Sequence, residues 1–324
     1  MTVLSKVIAE NCASSTYNGV QRTGFASLRS ARQPLTPDVG PHDCRRQWML
    51  LNMSIIDRTL KKPFFGRFQR PWLWPDGVPL DRWEPITFPN RKGTTLAGVF
   101  GAAEASPAVG AVVLAHPLSV AAKGFWLKHG HAELLRRAGF AVLAFDFNGF
   151  GESDSLDFDY PADVIAAGAY LRSRAANLPL AVMGASFGAG WALCAMAHGS
   201  HPFRAAVLEA AFPSLPFYWR RYRLPYAILR ASQLLYPRLE QSLRPSGAAQ
   251  RLKNNPQVLL IYGDADSLTP PQVGVELQAA MSTCALVERW TVPEADHNLA
   301  LQTAPDGYGH RVTDFLRRAL GRNE

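Results

Sequence analysis

Gly184-Ala185-Ser186-Phe187-Gly188 decides how the rest of this chain is read. The stretch lies between the apolar run Leu178-Pro179-Leu180-Ala181-Val182-Met183 and the helix-forming run Trp191-Ala192-Leu193-Cys194-Ala195-Met196-Ala197. A serine flanked by glycines at a strand-to-helix turn is the pattern of a nucleophile elbow. The turn is sharp, and side chains at 184 and 188 would collide with adjoining backbone, which glycine avoids. It lifts the serine oxygen to the top of a sheet. It also aims the N-terminus of the following helix, with its partial positive charge, at the same point.

Outward from this elbow the pattern is regular. Short apolar runs at 96–101, 111–115, 141–145, 178–183, 205–208, 258–262 and 285–292 read as strands. Helical spacing follows at 125–138, 163–175, 187–198, 271–281 and 309–320, with Asp163 placed to complement a helix N-terminus. Strands that alternate with helices predict a mostly parallel sheet covered on both faces. Ligands of such sheets bind at the carboxyl ends of the strands.

Two further segments carry chemistry at those ends. Gly263-Asp264-Ala265-Asp266-Ser267-Leu268-Thr269-Pro270 follows one strand, and Pro293-Glu294-Ala295-Asp296-His297-Asn298 follows the last. A serine hydroxyl needs a base beside it, and the base needs an acid to hold its tautomer. The order Ser186, Asp266, His297 is the serine, acid, histidine order of the α/β-hydrolase fold. Residues 85 to 320 resemble that superfamily, nearest its dienelactone-hydrolase branch. The resemblance does not reach the first eighty residues.

The resemblance implies an α/β-hydrolase fold: a mostly parallel central sheet, helices on both faces, and a small helical cap insertion. It implies Ser186 as nucleophile, His297 as general base and Asp266 as the acid, with Asp264 as the alternative. His116-Pro117-Leu118 stands where the family usually has His-Gly. Proline has no N–H to donate. The family places the oxyanion donors at positions that map to the backbone N–H groups of Leu118 and Phe187. His116 is then structural and braces its loop. Asp146-Phe147-Asn148-Gly149-Phe150-Gly151-Glu152-Ser153 resembles a scaffold loop of the same family and matches no phosphate-binding fingerprint. His129-Gly130-His131 suggests a metal pair, but i and i+2 on a helix diverge, so both are expected at the surface. No metal or organic cofactor is implied.

The remaining chain divides by composition. Residues 1–52, rich in Ser, Thr, Arg and Asn, read as a disordered or mis-assigned N-terminal extension, with Met49 and Met53 as alternative starts and a transit peptide as a third reading. Residues 53–84 mix bases with large aromatics, as in Pro63-Phe64-Phe65-Gly66-Arg67-Phe68 and Arg70-Pro71-Trp72-Leu73-Trp74. They read as a leader packed on the main domain or as a membrane-interface segment. Residues 85–324 are the expected hydrolase domain, with the cap insertion at about 210–255. That insertion holds Arg220, Arg221, Arg223, Arg230, Arg238, Arg244, Arg251 and Lys253 against Glu240 alone, which is +7 of the chain's +8. It reads either as a lid that favours anionic head groups or a lipid surface, or as a solvated basic face.

Exclusions follow from composition. The chain has 324 residues, 48% apolar and 19% charged, as a globular protein does. No nucleic-acid-binding module accompanies the positive charge, so nucleic acid is not an expected partner. Cys12, Cys44, Cys194 and Cys284 are scattered without metal spacing, which suits a reducing, cytoplasmic setting. No window nears the ~20 apolar residues of a membrane span. Peripheral contact with an anionic membrane surface stays open. The expected substrate is a small acyl ester or thioester. A peptidase or acyltransferase with the same triad, and a non-catalytic binding protein on this fold, are the alternatives.

Overall fold

Runs that are apolar at every position need a sheet covered on both faces. The structure, a computed structural model, describes residues 61, 64–70, 72–155, 157–235 and 237–321. The extension 1–52, its two methionines and residues 53–60 lie outside the described residues. Eight strands form one sheet in the order β1-β2-β4-β3-β5-β6-β7-β8. β1 (Glu84–Pro89) and β2 (Thr95–Gly101) are an antiparallel edge pair, and β2 runs antiparallel to β4 (Phe140–Phe145). The rest is parallel: β3 (Gly110–Ala115), β5 (Leu180–Ala185), β6 (Phe203–Glu209), β7 (Gln257–Gly263) and β8 (Leu286–Val292). Every residue of β3, β4 and β5 is buried. Separate apolar clusters pack on the two faces, one around Phe145, Trp191 and Leu260, the other around Leu114, Trp126 and Phe315.

The covering helices are α1 (Gly124–Lys128), α2 (His131–Arg137), α3 (Tyr160–Arg174) and α4 (Phe187–Met196). Between β6 and β7 come α5 (Leu215–Tyr218), α6 (Arg223–Leu235), α7 (Pro237–Ser242) and α8 (Pro245–Ala249). The chain then forms α9 (Pro271–Met281), α10 (Ala300–Thr303) and α11 (Pro305–Gly321).

Four local expectations are corrected. β1 has no counterpart in the predicted strands, because Pro85 and Pro89 interrupt it; an edge strand tolerates proline. The single helix over 125–138 is two helices, broken at Gly130, whose φ is +81°. α3 starts earlier than predicted, with Asp159 as its N-cap accepting from the Ala162 N–H. Asp163 stands in the first turn of α3, as expected, and is buried there. It accepts from the side chain of Asn90 and from the backbone and side chain of Asn148. Burial pushes its pKa up to about 6 against the pull of those bonds. The fourth correction is His131, which lies in the core and not at the surface.

The described part of the leader packs as a piece of the domain. Phe64 and Phe65 are buried in the cluster that holds Phe187 and Trp191. The Trp72 ring covers the buried Lys123 ammonium at 3.8 Å. Lys123 is also paired with Asp146 at 2.6 Å and Glu152 at 2.7 Å, so its charge is balanced where water is absent.

His131 sits among the rings of Phe125, Trp126 and Tyr308, at centroid distances of 5.6, 5.1 and 5.5 Å. Neither ring nitrogen has a hydrogen-bond partner. Burial pushes its pKa down to about 3, with a smaller push from His129. The unfolded chain takes up this proton near 6.5 and the folded chain does not. Stability from this group is therefore full above pH 6.5 and is lost as pH falls toward 3, at up to about 1.4 kcal/mol per pH unit. His131→Phe is expected to be at least as stable as the parent at pH 7 and to lose less stability between pH 6.5 and 4. Urea denaturation at a series of pH values measures this, and an unchanged slope contradicts it.

Candidate active site

Ser186 follows the last residue of β5 and has φ +47° and ψ −107°, a strained conformation held by what surrounds it. A Cβ at Gly188 would lie 1.9 Å from the Ala115 carbonyl oxygen and 2.7 Å from that of His116. A Cβ at Gly184 would lie 2.6 Å from the Gly188 oxygen. The end of β3 therefore abuts the start of α4 backbone to backbone, and the elbow can close only without side chains there.

The acid and the histidine arrive on neighbouring loops. His297 Nε2 is 2.8 Å from Ser186 Oγ, and His297 Nδ1 is 2.7 Å from Asp266 Oδ2. Of the two candidate acids the structure brings Asp266 to the histidine. Asp264 instead accepts from the Glu294 N–H at 2.6 Å and ties the two loops together. Burial disfavours the Asp266 carboxylate. The hydrogen bond and charge of His297 and the bonds from Thr269 outweigh it and hold its pKa below the usual range.

Sequence reasoning missed three residues here. Thr269 donates from Oγ1 to Asp266 Oδ2 at 2.6 Å and from its N–H to Oδ1 at 2.8 Å, and its hydroxyl lies 3.1 Å from His297 Nδ1. Its position three residues after the acid was the available signal. Glu209, at the end of β6, is buried and accepts from the Ala300 N–H and the Tyr308 hydroxyl, which anchors the chain just after His297. Burial pushes its pKa up. Tyr218, at the end of α5, stands close enough to Ser186 to feel it electrostatically. Its ring packs beside Phe212 and Trp219 at 5.6 and 5.8 Å. Burial pushes its pKa up to about 12, against the nearby Arg67 charge and the neighbouring Ser186, so the phenol stays protonated near neutrality. No sequence spacing marks a tyrosine 32 residues after the serine.

The expected oxyanion donors lie along the same rim. Phe187 opens α4, where backbone N–H groups have no intrahelical partner. Leu118 follows the fully buried His116. That ring accepts from the Phe147 N–H at 3.2 Å through Nε2 and donates from Nδ1 to the Pro117 oxygen at 2.8 Å. Burial pushes its pKa down to about 4, so the ring is neutral and braces the loop. The loop 146–153 is scaffold: Asp146 accepts from the Lys123 and Glu152 N–H groups, and Ser153 ties it to β2. Arg220 and Arg221 bond the carbonyl oxygens of Leu268 and Ser267, joining the insertion to the Asp266 loop.

Among the described residues no group of three His, Cys, Asp or Glu side chains is placed to hold a metal ion, and no described helix is long and apolar enough to cross a membrane.

Residues 106–258, a little under half of the chain, match the family described as serine aminopeptidase, S33. No curated protein matches. Among solved structures, an esterase of Pyrococcus furiosus superposes with TM-score 0.63 at 19% identity, covering 77% of this chain and 97% of that one. An acylaminoacyl peptidase of Pyrococcus horikoshii gives 0.57 at 15% identity, over 76% of this chain and 43% of that one. A puromycin-hydrolyzing peptidase of Mycobacterium tuberculosis gives 0.57 at 19%, over 76% and 40%. The fold is that of the α/β-hydrolases. The matched family bears a different name from the dienelactone-hydrolase branch.

The contact at residue 188 makes a direct prediction. Gly188→Ala must part β3 from α4, because the obstructing atoms are backbone. A loss of stability of about 3 kcal/mol is expected, at the upper end for overpacking. Thermal unfolding measures it, and a change within ~0.5 kcal/mol contradicts the reading.

Proposed function

We propose that this protein hydrolyses a carboxylic ester or thioester through an acyl-enzyme on Ser186. The observation that carries the reading is the continuous relay of 2.8 Å from Ser186 to His297 and 2.7 Å from His297 to Asp266. In this reading Ser186 Oγ attacks the acyl carbon while its proton passes to His297 Nε2. The tetrahedral oxygen takes hydrogen bonds from the Leu118 and Phe187 N–H groups. As the intermediate collapses, His297 gives the proton to the departing alkoxide or thiolate. Water, activated by the same imidazole, then releases the acid and restores Ser186. Asp266 stays ionised and holds the Nδ1–H tautomer. Tyr218, beside Ser186, is in this reading a further neutral donor near the reacting oxygen.

A peptidase or acyltransferase shares this apparatus, and both the matched family and two of the structural neighbours are peptidases by name. The surrounding charge favours the ester reading over an aminopeptidase. An aminopeptidase must hold a cationic substrate terminus, whereas the Arg67 charge reaches Tyr218 and the Arg220 charge reaches Asp266. Cations near the site oppose a second cation and suit a neutral or anionic acyl donor.

Fluorophosphonate labelling is expected on the native chain and absent from Ser186→Ala; a folded native chain that stays unlabelled defeats the proposal. On p-nitrophenyl esters of graded length, Asp266→Asn is expected to lower kcat by about 10⁴. Tyr218→Phe is expected to lower kcat between about tenfold and a hundredfold with KM little changed, the effect of removing one donor. An unaltered kcat in Tyr218→Phe removes that residue from the chemistry.

A further inference from the structure

α6 is an amphipathic helix that faces the wrong way for a core. Residues advance 100° each along a helix, so Leu224, Ala227, Ile228, Ala231, Leu234 and Leu235 share one side. That side is outside: Leu224 is 71% exposed, Ile228 41%, Leu234 84% and Leu235 72%. The inward side is Pro225, Leu229, Ser232 and Gln233, each only partly buried, and no residue of α6 is fully buried. A helix of this pattern ordinarily turns its apolar stripe to the protein interior, at about 25 cal/mol gained per Å² covered. Here that gain is left for something outside the described fold.

The surroundings of the stripe say what. Arg223 and Arg230 flank it, and Arg220 and Arg221 precede it, all exposed. Arg220 and Arg221 bond only carbonyl and hydroxyl oxygens, and Arg230 bonds Gln233, so none of the three forms a direct ion pair with a described carboxylate. The one acid of the insertion, Glu240, is taken by Arg244 at 2.5 Å. Tyr222 and Tyr226, 49% and 39% exposed, lie on the far side of the helix from the stripe. An exposed apolar stripe edged by arginines matches a bilayer interface with anionic head groups. A second copy of this chain fits less well, since two such faces would bring like charges together. The segment that leads into the stripe reaches the site, because Arg220 and Arg221, just upstream, clasp the loop of Asp266.

We propose that α6 docks this protein on an anionic lipid surface, with its leucines and Ile228 entering the acyl boundary and its arginines facing lipid phosphates. Docking stands on its own observations. That it presents the acyl chain of a lipid-like ester to Ser186 rests on the hydrolase reading above.

Flotation of the full chain with phosphatidylcholine vesicles, with and without phosphatidylglycerol, tests it. The bound fraction is expected to rise at least about tenfold with the anionic lipid and to fall with salt. Replacing Leu224, Ile228 and Leu235 by serine is expected to abolish flotation, and Arg223→Glu with Arg230→Glu to lower it at least about tenfold. Both variants alter only exposed side chains and are expected to keep fluorophosphonate labelling. The proposal is overturned if the native chain does not float, or if the serine variant floats equally well. It is also overturned if sedimentation shows a dimer that the serine variant loses while vesicles bind neither. Flotation without labelling leaves docking intact and removes the hydrolase reading alone.

Discussion

The site depends on an empty space at residue 188. Because no side chain stands there, the last carbonyl of β3 reaches the first turn of α4. That approach fixes where the 116–118 loop lies relative to the nucleophile, and it forces Ser186 into a backbone conformation that few residues tolerate. The strain is held by burial on every side: β5 is inaccessible along its length, and α4 is buried at every position. Around this rigid centre the imidazole of His297 and the carboxylate of Asp266 are supplied by loops. Those loops are themselves knotted together by Asp264, Asp266 and Thr269, each accepting from or donating to the other strand's connection or its own turn.

Much of this was legible in the chain because the relevant signals are local. Strands buried on both faces must be apolar throughout, so β3 to β7 stand out. The elbow needs glycine at fixed offsets. Proline at 117 removes a donor wherever the chain goes. What escaped were features decided at a distance. Tyr218, Thr269 and Glu209 carry no pattern of their own, and only the folded chain brings them to the serine, the acid and the histidine loop. His131 was misplaced because spacing along a helix was applied across Gly130, where the helix stops. Asp163 does stand in the first turn of α3, but its partners, Asn90 and Asn148, lie 73 and 15 residues away in sequence and carry no local signal. In α6 the amphipathic spacing was visible, but spacing does not say which face meets solvent.

Charge is handled in two opposite ways. Inside, ionic groups are matched: Lys123 with Asp146 and Glu152, Asp163 with amide donors, Asp266 with His297 and Thr269. Unmatched charge at such depth would be severely unfavourable. On the insertion between β6 and β7 the arginines are left largely to solvent and to carbonyl oxygens. A cationic surface in water is tolerated at little energetic penalty, and it raises the local concentration of anions around the insertion.

The ring of Trp72 over Lys123 and the insertion of Phe65 against Phe187 carry a consequence for where the folding unit begins. By strand pattern alone the unit starts at β1. Yet shortening the chain to that point would strip the aromatic cover from a buried ammonium and from the residue that follows the nucleophile. The minimal autonomous piece is therefore set by aromatic anchoring upstream of the sheet, and residues that look like a tether are part of the domain's wall.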